Sequence, residues 1–273
     1  MNKWLLGSVL WLASVAHAHE FWMTPDRFSP PAKAPVELSL WVGENFTGDP
    51  VGFGQPLVAA LRWHNQHGNT DLTPRLPPNL DQSSVALSFE RPGTQLIALD
   101  TQPFTIELPA DKFTAYLREE GLERVIAQRE ASGQANAPGR ERYRRHVKTL
   151  LRVGGKADAT FGVRTGQTLE IVPLVHPQQL KRDRALTLEI LFKGMPLQGA
   201  LVKVWNHRGQ QLNVLRTRTD AAGKSTTILP WGGVWMVSVV HMVPSTDDQG
   251  SDWDSHWGNL TFELPTSGDT GRN

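Results

Sequence analysis

The sequence predicts a mainly β protein, made of antiparallel β-sandwich modules of the immunoglobulin-like class with a short helical insertion in the middle. Short runs that alternate apolar and polar residues recur along the chain, which is the pattern of half-buried strands. Proline and glycine separate these runs, as they do in the turns of a sandwich. Cysteine is absent, so the cores must be held by apolar burial alone.

Residues 1–18 have the parts of a cleavable signal peptide. Lys3 supplies a positive charge, residues 4–15 are apolar and uncharged, and residues 16–18 (AHA) place small residues where signal peptidase reads them. The apolar run is shorter than the ~20 residues of a spanning helix, although an uncleaved membrane anchor is the alternative. We therefore predict export to the periplasm, a mature chain that begins at His19, and no transmembrane segment in that chain.

The charge balance argues against nucleic acid as the main partner. Cleavage after residue 18 removes Lys3, one of 28 Lys and Arg residues, and leaves all 27 acidic residues in place. The mature chain then has equal numbers of basic and acidic side chains, histidine apart. A protein that neutralises nucleic-acid phosphates needs a basic excess, so we predict no nucleic-acid partner.

An N-terminal β-rich domain is predicted over residues 19–180. Its clearest strand is 36–43, where Val36, Leu38 and Leu40 alternate on one face. A Pro–Gly turn joins two of the later strands, because proline presets one backbone angle and glycine accepts a positive φ. Further strands are expected at 83–89, 94–100 and 104–109.

The helical insertion is predicted at 110–130, where apolar residues recur at nearly helical spacing. Asp111 is expected to cap its start, and Gly121 to divide it into two helices. A further helix is predicted near 140–152, with its apolar side chains facing inward. Its basic side chains are interpreted as a solvated helix face rather than an anion site; they are Arg140, Arg142, Arg144, Arg145 and Lys148.

A C-terminal immunoglobulin-like sandwich is predicted over residues 183–265. The run 233–243 (GVWMVSVVHMV) predicts a central strand, and 259–265 predicts the last strand. The tail, residues 266–273, is small and polar and is expected to be disordered.

An ordered series of segments resembles one family. The series is HEFWMTP, GENF, DKFTAYLREEGL, GRERYRRHVKTLLRVG, LEIVPL, GMPLQGALVKVW, VVHM and DWDSHWGNLTFEL. It covers nearly the whole mature chain and looks like the family called domain of unknown function 4198 (DUF4198), which is similar to periplasmic components associated with nickel and cobalt uptake systems. The resemblance implies a secreted, β-rich protein that handles transition metal.

His19 is the first candidate metal ligand, because cleavage would make it the amino terminus. Its α-amine and ring Nδ1 can close a chelate ring on one metal ion. The α-amine has a pKa of ~7.7–8.0, so it loses its proton near neutral pH far more readily than lysine does. Imidazole suits nickel, cobalt, copper and zinc. We expect Phe21 and Trp22 to dock this terminus against the body of the protein.

His241 is the second candidate ligand, because it closes the strand 233–243 beside a loop; the resemblance also maps onto it. His256, Asp252 and Asp254 belong to the segment DWDSHWGN and are expected at the same end of the sandwich. One of them would complete the metal site. The other histidines of the mature chain are expected to be bystanders, namely His64, His67, His146, His176 and His207.

We therefore predict a periplasmic protein that binds nickel or cobalt, accepts copper as well, and delivers metal to a membrane transporter. No enzyme is predicted, because the sequence lacks the motifs of P-loop, α/β-hydrolase, zincin and dinucleotide-binding proteins. Two alternatives stay open. One is an envelope module that binds glycan or protein through exposed tryptophans, and the other is a copper enzyme with a histidine brace formed by His19 and a second histidine.

Overall fold

The computed structural model describes residues 19–181, 183–208, 210–246 and 250–264. The predicted signal peptide (1–18) and tail (266–273) lie outside this part. The strands, in chain order, are β1 (Glu20–Pro25), β2 (Pro35–Glu44), β3 (Thr47–Val51), β4 (Val58–Asn65), β5 (Gly68–Asp71), β6 (Ser84–Ser88), β7 (Gly93–Thr101), β8 (Phe104–Leu108), β9 (Gly139–Val153), β10 (Leu169–Pro173), β11 (Arg184–Phe192), β12 (Met195–Pro196), β13 (Leu201–Arg208), β14 (Gln211–Arg218), β15 (Lys224–Leu229), β16 (Gly233–Pro244) and β17 (Trp253–Leu264). The helices are α1 (Ala110–Glu119) and α2 (Glu123–Ala131).

A nine-stranded sheet runs through the molecule in the order β14-β13-β16-β17-β9-β7-β4-β5, with β8 also paired to β9. Its pairings are antiparallel except for β17 and β9, which run parallel from the Trp253–Glu141 pair to the Thr261–Thr149 pair. Strands of both predicted domains thus share one sheet, so the chain does not divide cleanly at residues 181–183. The strand β10, which the sequence placed in the first domain, pairs with β11 of the second.

Two smaller sheets cover opposite faces of the central sheet. The front face carries the sheet β1-β2-β3 with β6, and the back face carries the sheet β10-β11-β12 with β15. Side chains along β9 point alternately to the two faces. Val147 and Leu151 belong to the apolar core between the central and front sheets, whereas Leu150 belongs to the core between the central and back sheets. Each pair of layers buries an apolar core of its own, so the predicted mainly β class and sandwich packing are confirmed.

The predicted helical insertion is also confirmed. The helices α1 and α2 are separated at Gly121, whose φ of +68° is the left-handed conformation that glycine adopts without strain. They lie on the front face, where Phe113 and Leu117 pack against Met242 and Trp257. Asp111 is not the N-cap, which is Pro109, but lies in the first turn. Within the described ranges, no helix has both the length and the apolar character needed to cross a membrane.

The helix predicted near 140–152 is wrong, because this segment is the 15-residue strand β9 at the centre of the main sheet. From His146 to Leu151 both faces of β9 are buried, so the alternation of an ordinary half-buried strand is missing there. The predicted solvated basic face is wrong too. Lys148 is buried against Glu170, and Arg145 lies 4.8 Å from the centre of the Phe21 ring.

Candidate functional site

His241 and His256 are direct cross-strand neighbours of β16 and β17. Their side chains lie on the back face, where the ring of Phe192 at the end of β11 meets both edge-on. The centre of the Phe192 ring lies 4.4 Å from the centre of the His241 ring and 5.3 Å from that of the His256 ring. We call His241 and His256 the histidine pair. Since directly opposed residues in an antiparallel ladder have Cβ atoms ~4.5–5.5 Å apart, both imidazoles can serve one ligand.

A chain of hydrogen bonds reaches the Nδ1 atom of His256 and orients its ring. Asp100 Oδ1 lies 2.7 Å from His146 Nδ1, and His146 Nε2 lies 3.0 Å from His256 Nδ1. Because the carboxylate only accepts, a neutral His146 donates from Nδ1 and accepts at Nε2. His256 then donates from Nδ1 and keeps its lone pair on Nε2. Gln167 Nε2 donates to the same Asp100 oxygen over 3.0 Å, which fixes the carboxylate.

The histidine pair has free nitrogen lone pairs. Among the residues that the structure describes, no hydrogen bond reaches His256 Nε2 or either ring nitrogen of His241. Burial, helped by the charge of Arg124, lowers the pKa of His241 to about 4. Burial, with His146 and Arg144 adding to it, lowers the pKa of His256 to about 3. Both imidazoles are therefore neutral at pH 7, which is the form that binds metal.

His19 lies away from the histidine pair. Its Nε2 is 3.6 Å from Glu44 Oε1, and the next residue, Glu20, contacts Ser238 on the front face. Ser238 and His241 are three positions apart on β16 and so point to opposite faces. The structure therefore does not assemble the expected site of His19 with His241, nor a histidine brace between them. Phe21 and Trp22 are buried, as predicted.

The two carboxylates of the predicted site are held by arginines. Asp252 Oδ1 accepts from Arg140 Nη2 over 2.7 Å, and this hydrogen bond is the main reason that the pKa of Asp252 is lowered. Asp254 accepts two hydrogen bonds from Arg142, of 2.6 and 2.9 Å. Among the described residues, no group of three or more His, Cys, Asp or Glu side chains could hold a metal ion. The histidine pair remains as a site with two protein nitrogens.

The tryptophans that the structure describes form no exposed stacking surface. Trp22, Trp205, Trp235, Trp253 and Trp257 are buried, and the other three are half-buried. The alternative of a glycan-binding face built on exposed tryptophans therefore gains no support from their placement.

The residues that sequence reasoning missed are His146 and Asp100. His146 was expected to be a bystander because its segment was interpreted as a helix. In the strand β9 it lies on the back face beside Gly258, where its ring stacks on His256 with the centres 5.3 Å apart. Asp100 is its cross-strand partner on β7. Period-two spacing of His146 with Arg144 and Lys148 is the signal that could have indicated a strand.

The lowered pKa of His241 predicts acid lability. The unfolded imidazole takes up a proton near pH 6.5, whereas the folded one does so only near pH 4, so stability falls as pH drops through this window. We expect His241→Gln to reduce the loss of unfolding free energy between pH 7 and pH 5 by about 1–2 kcal/mol. Urea unfolding of both proteins at pH 7 and at pH 5 measures this loss of unfolding free energy. The exposed His67 gives the matched control, His67→Gln, and an equal effect of both variants would contradict the prediction.

Comparisons with known proteins identify one family and several distantly similar solved structures. The family profile described as a domain of unknown function (DUF4198) matches residues 16–243. No curated protein matches the sequence. Among solved structures, the D0-D1 domain of intimin is 14% identical with a TM-score of 0.20, over 88% of this chain and 96% of that one.

Two further solved structures are similar at the same distant level. A two-domain fibronectin type-III segment of chicken tenascin is 10% identical with a TM-score of 0.23, over 86% of this chain and 95% of that one. A carbohydrate-binding module of the β-sandwich superfamily is 10% identical with a TM-score of 0.21, over 90% and 92% of the two chains. These scores are too low to support any functional argument.

Proposed function

The chain belongs to the DUF4198 family, whose description assigns no activity, and we propose that it binds a divalent transition-metal ion, nickel or cobalt, through the histidine pair. The observation that carries the proposal is the juxtaposition of His241 and His256 on one face, with free lone pairs and one shared aromatic neighbour. Imidazole nitrogen suits these metals, and it binds them in the neutral form that burial favours here.

The hydrogen bonds behind His256 support the same function. Histidines that bind metal usually donate their other ring N–H to a carboxylate, a carbonyl or water, which fixes the tautomer and the orientation of the ring. Here His256 Nδ1 is engaged by His146, which Asp100 orients in turn. This arrangement leaves Nε2 of His256 as the ligand atom.

Two imidazoles fill only part of a metal coordination sphere. An open sphere suits a protein that takes up and releases metal, since structural sites are closed by four protein ligands. We therefore extend the proposal to transient metal binding in the periplasm and to delivery of metal to a membrane uptake system. Copper would bind the same nitrogens more tightly, following the general order of divalent affinities.

Calorimetric titration of Ni²⁺ and Co²⁺ into mature protein tests the proposal, with the amino terminus confirmed by intact mass. We expect one ion per chain. His241→Gln and His256→Gln should each weaken binding at least tenfold (~1.4 kcal/mol), because each removes one of two protein ligands. The control His67→Gln, which changes an exposed histidine between β4 and β5, should leave the affinity unchanged.

One extra residue before His19 separates this site from a terminal chelate. The extension removes the chelating amine but keeps every imidazole, so the histidine pair should bind metal as before. If the extension weakens binding as much as His256→Gln does, His19 and not the pair holds the metal. If the wild-type protein binds neither ion, the proposed function is wrong.

A further inference from the structure

An arginine that forms no hydrogen bond or ion pair with the described residues lies directly beside the histidine pair. Arg144 on β9 is the register partner of His256 on β17, so its side chain points to the same back face. It is half-buried, and within the described part of the chain it has no hydrogen bond or ion pair. Its charge acts on Asp254, but both oxygens of that carboxylate already accept hydrogen bonds from Arg142. The planar fork of Arg144 therefore stays available for a carboxylate in two-point contact.

A second cation lies close to the pair, and the charge of a third acts on it. Lys193 Nζ lies 5.3 Å from the centre of the Phe192 ring, the ring that touches both histidines. The charge of Arg124 acts on His241. The carboxylates of this cluster are already paired, Asp100 with Arg62 at 3.7 Å and Asp254 with Arg142 at 2.6 Å. The surroundings of the pair therefore hold more positive than negative charge, which favours a metal whose charge is offset by an anionic partner.

We propose that the histidine pair takes its metal as an anionic complex with a small polycarboxylate, one carboxylate of which pairs with Arg144. This inference rests on the proposed function and names the chemical class of its ligand. The polycarboxylate neutralises the metal charge and fills coordination positions that two imidazoles leave open. Arg144 supplies the positive charge that binds the excess negative charge of the complex.

Equilibrium dialysis of Ni²⁺ with an equal concentration of labelled citrate tests the inference, with Ni²⁺ alone and citrate alone as the other arms. Citrate carries three carboxylates, so its complex with a divalent ion is anionic at pH 7. We expect the wild-type protein to retain one citrate for each nickel. Arg144→Gln should lower citrate retention at least tenfold and still bind Ni²⁺ alone, whereas Arg144→Lys should keep part of the retention.

The control is Arg216→Gln, which makes the same charge change at an exposed position of β14. It should behave as the wild type, and thermal melts should show that all variants are folded. If citrate strips nickel from the wild-type protein, or if Arg144→Gln retains citrate fully, the inference is wrong while the metal site stands. Citrate bound without nickel also overturns it. If neither nickel nor its citrate complex binds, the proposed function fails as well.

Discussion

Lys203→Met is expected to lower the free energy of unfolding by about 3–5 kcal/mol at pH 7. Lys203 Nζ lies 2.9 Å from Glu20 Oε1 and 2.8 Å from Glu120 Oε2, and the three side chains are only 3%, 6% and 2% exposed. The substitution keeps the apolar stem of the lysine but removes the ammonium group that lies between two buried carboxyl groups. Glu20 then stays buried without the ammonium group that neutralises it, and both carboxyl groups lose a hydrogen bond in the folded state alone.

The loss of stability in Lys203→Met should be largest at the amino-terminal strand β1. Glu20 opens β1, Glu120 follows α1, and Lys203 belongs to β13, so a single ammonium group joins three separate parts of the front face. Hydrogen exchange at β1 should accelerate in Lys203→Met by more than global unfolding accounts for. Chemical denaturation gives the global value, and exchange measured by mass spectrometry gives the local one.

Two variants make this prediction decisive. Lys224→Met changes an exposed lysine on a strand of the back sheet and should cost less than about 0.5 kcal/mol. Adding Glu20→Gln and Glu120→Gln to Lys203→Met should recover much of the loss, because no buried charge is then left alone. If Lys203→Met lowers the free energy of unfolding no more than Lys224→Met does, the buried cluster of Lys203, Glu20 and Glu120 contributes nothing to stability.

Local patterns predicted most of the strands. The run 36–43 became β2, which buries one alternating face. The run 233–243 became β16, a nearly continuous apolar run that is buried on both faces from Trp235 to Val240. The division of the helical insertion at Gly121 also followed from a local signal, the need for a positive φ. Such features depend on neighbours in sequence, so the sequence alone defines them.

The sequence could not predict the joining of the two halves, because it depends on partners far apart in the chain. The strand β9 is paired in parallel with β17, and two of its basic residues find their carboxylates on β17 and β10. Arg142 meets Asp254, and Lys148 meets Glu170. Without those partners in view, a basic segment indicates a solvated helix face.

The candidate site was predictable only in part. His241 and His256 were both expected at one end of the sandwich, and the register of β16 and β17 places them together. His19 was expected to join them, but which face a terminal residue occupies depends on how β1 packs, and here Glu20 fixes β1 to the front face. His146 was missed because its role depends on the strand pairing that local patterns do not contain.

The stability of the protein is expected to fall as the pH rises from about 6.5 to 8, and Glu120→Gln should remove much of this fall. Burial, reinforced by the charge of Glu20, raises the pKa of Glu120 from 4.5 to about 8. The folded carboxyl group keeps its proton up to that pH, whereas the unfolded one loses it near pH 4.5. The folded state therefore binds more protons across the window, and the free energy of unfolding decreases with rising pH.

Between pH 6.5 and 8 the contribution of Glu120 amounts to about 2 kcal/mol, which corresponds to roughly 4–8 °C in Tm for a chain of this size. Glutamine keeps an oxygen that can accept from Lys203 but has no proton to lose, so the variant should melt at a nearly constant temperature over this range. Glu130→Gln, at an exposed position of α2, should follow the wild-type curve. Parallel curves for Glu120→Gln and the wild type would show that Glu120 is already ionised in the folded protein, and that Lys203 neutralises both carboxylates at pH 7.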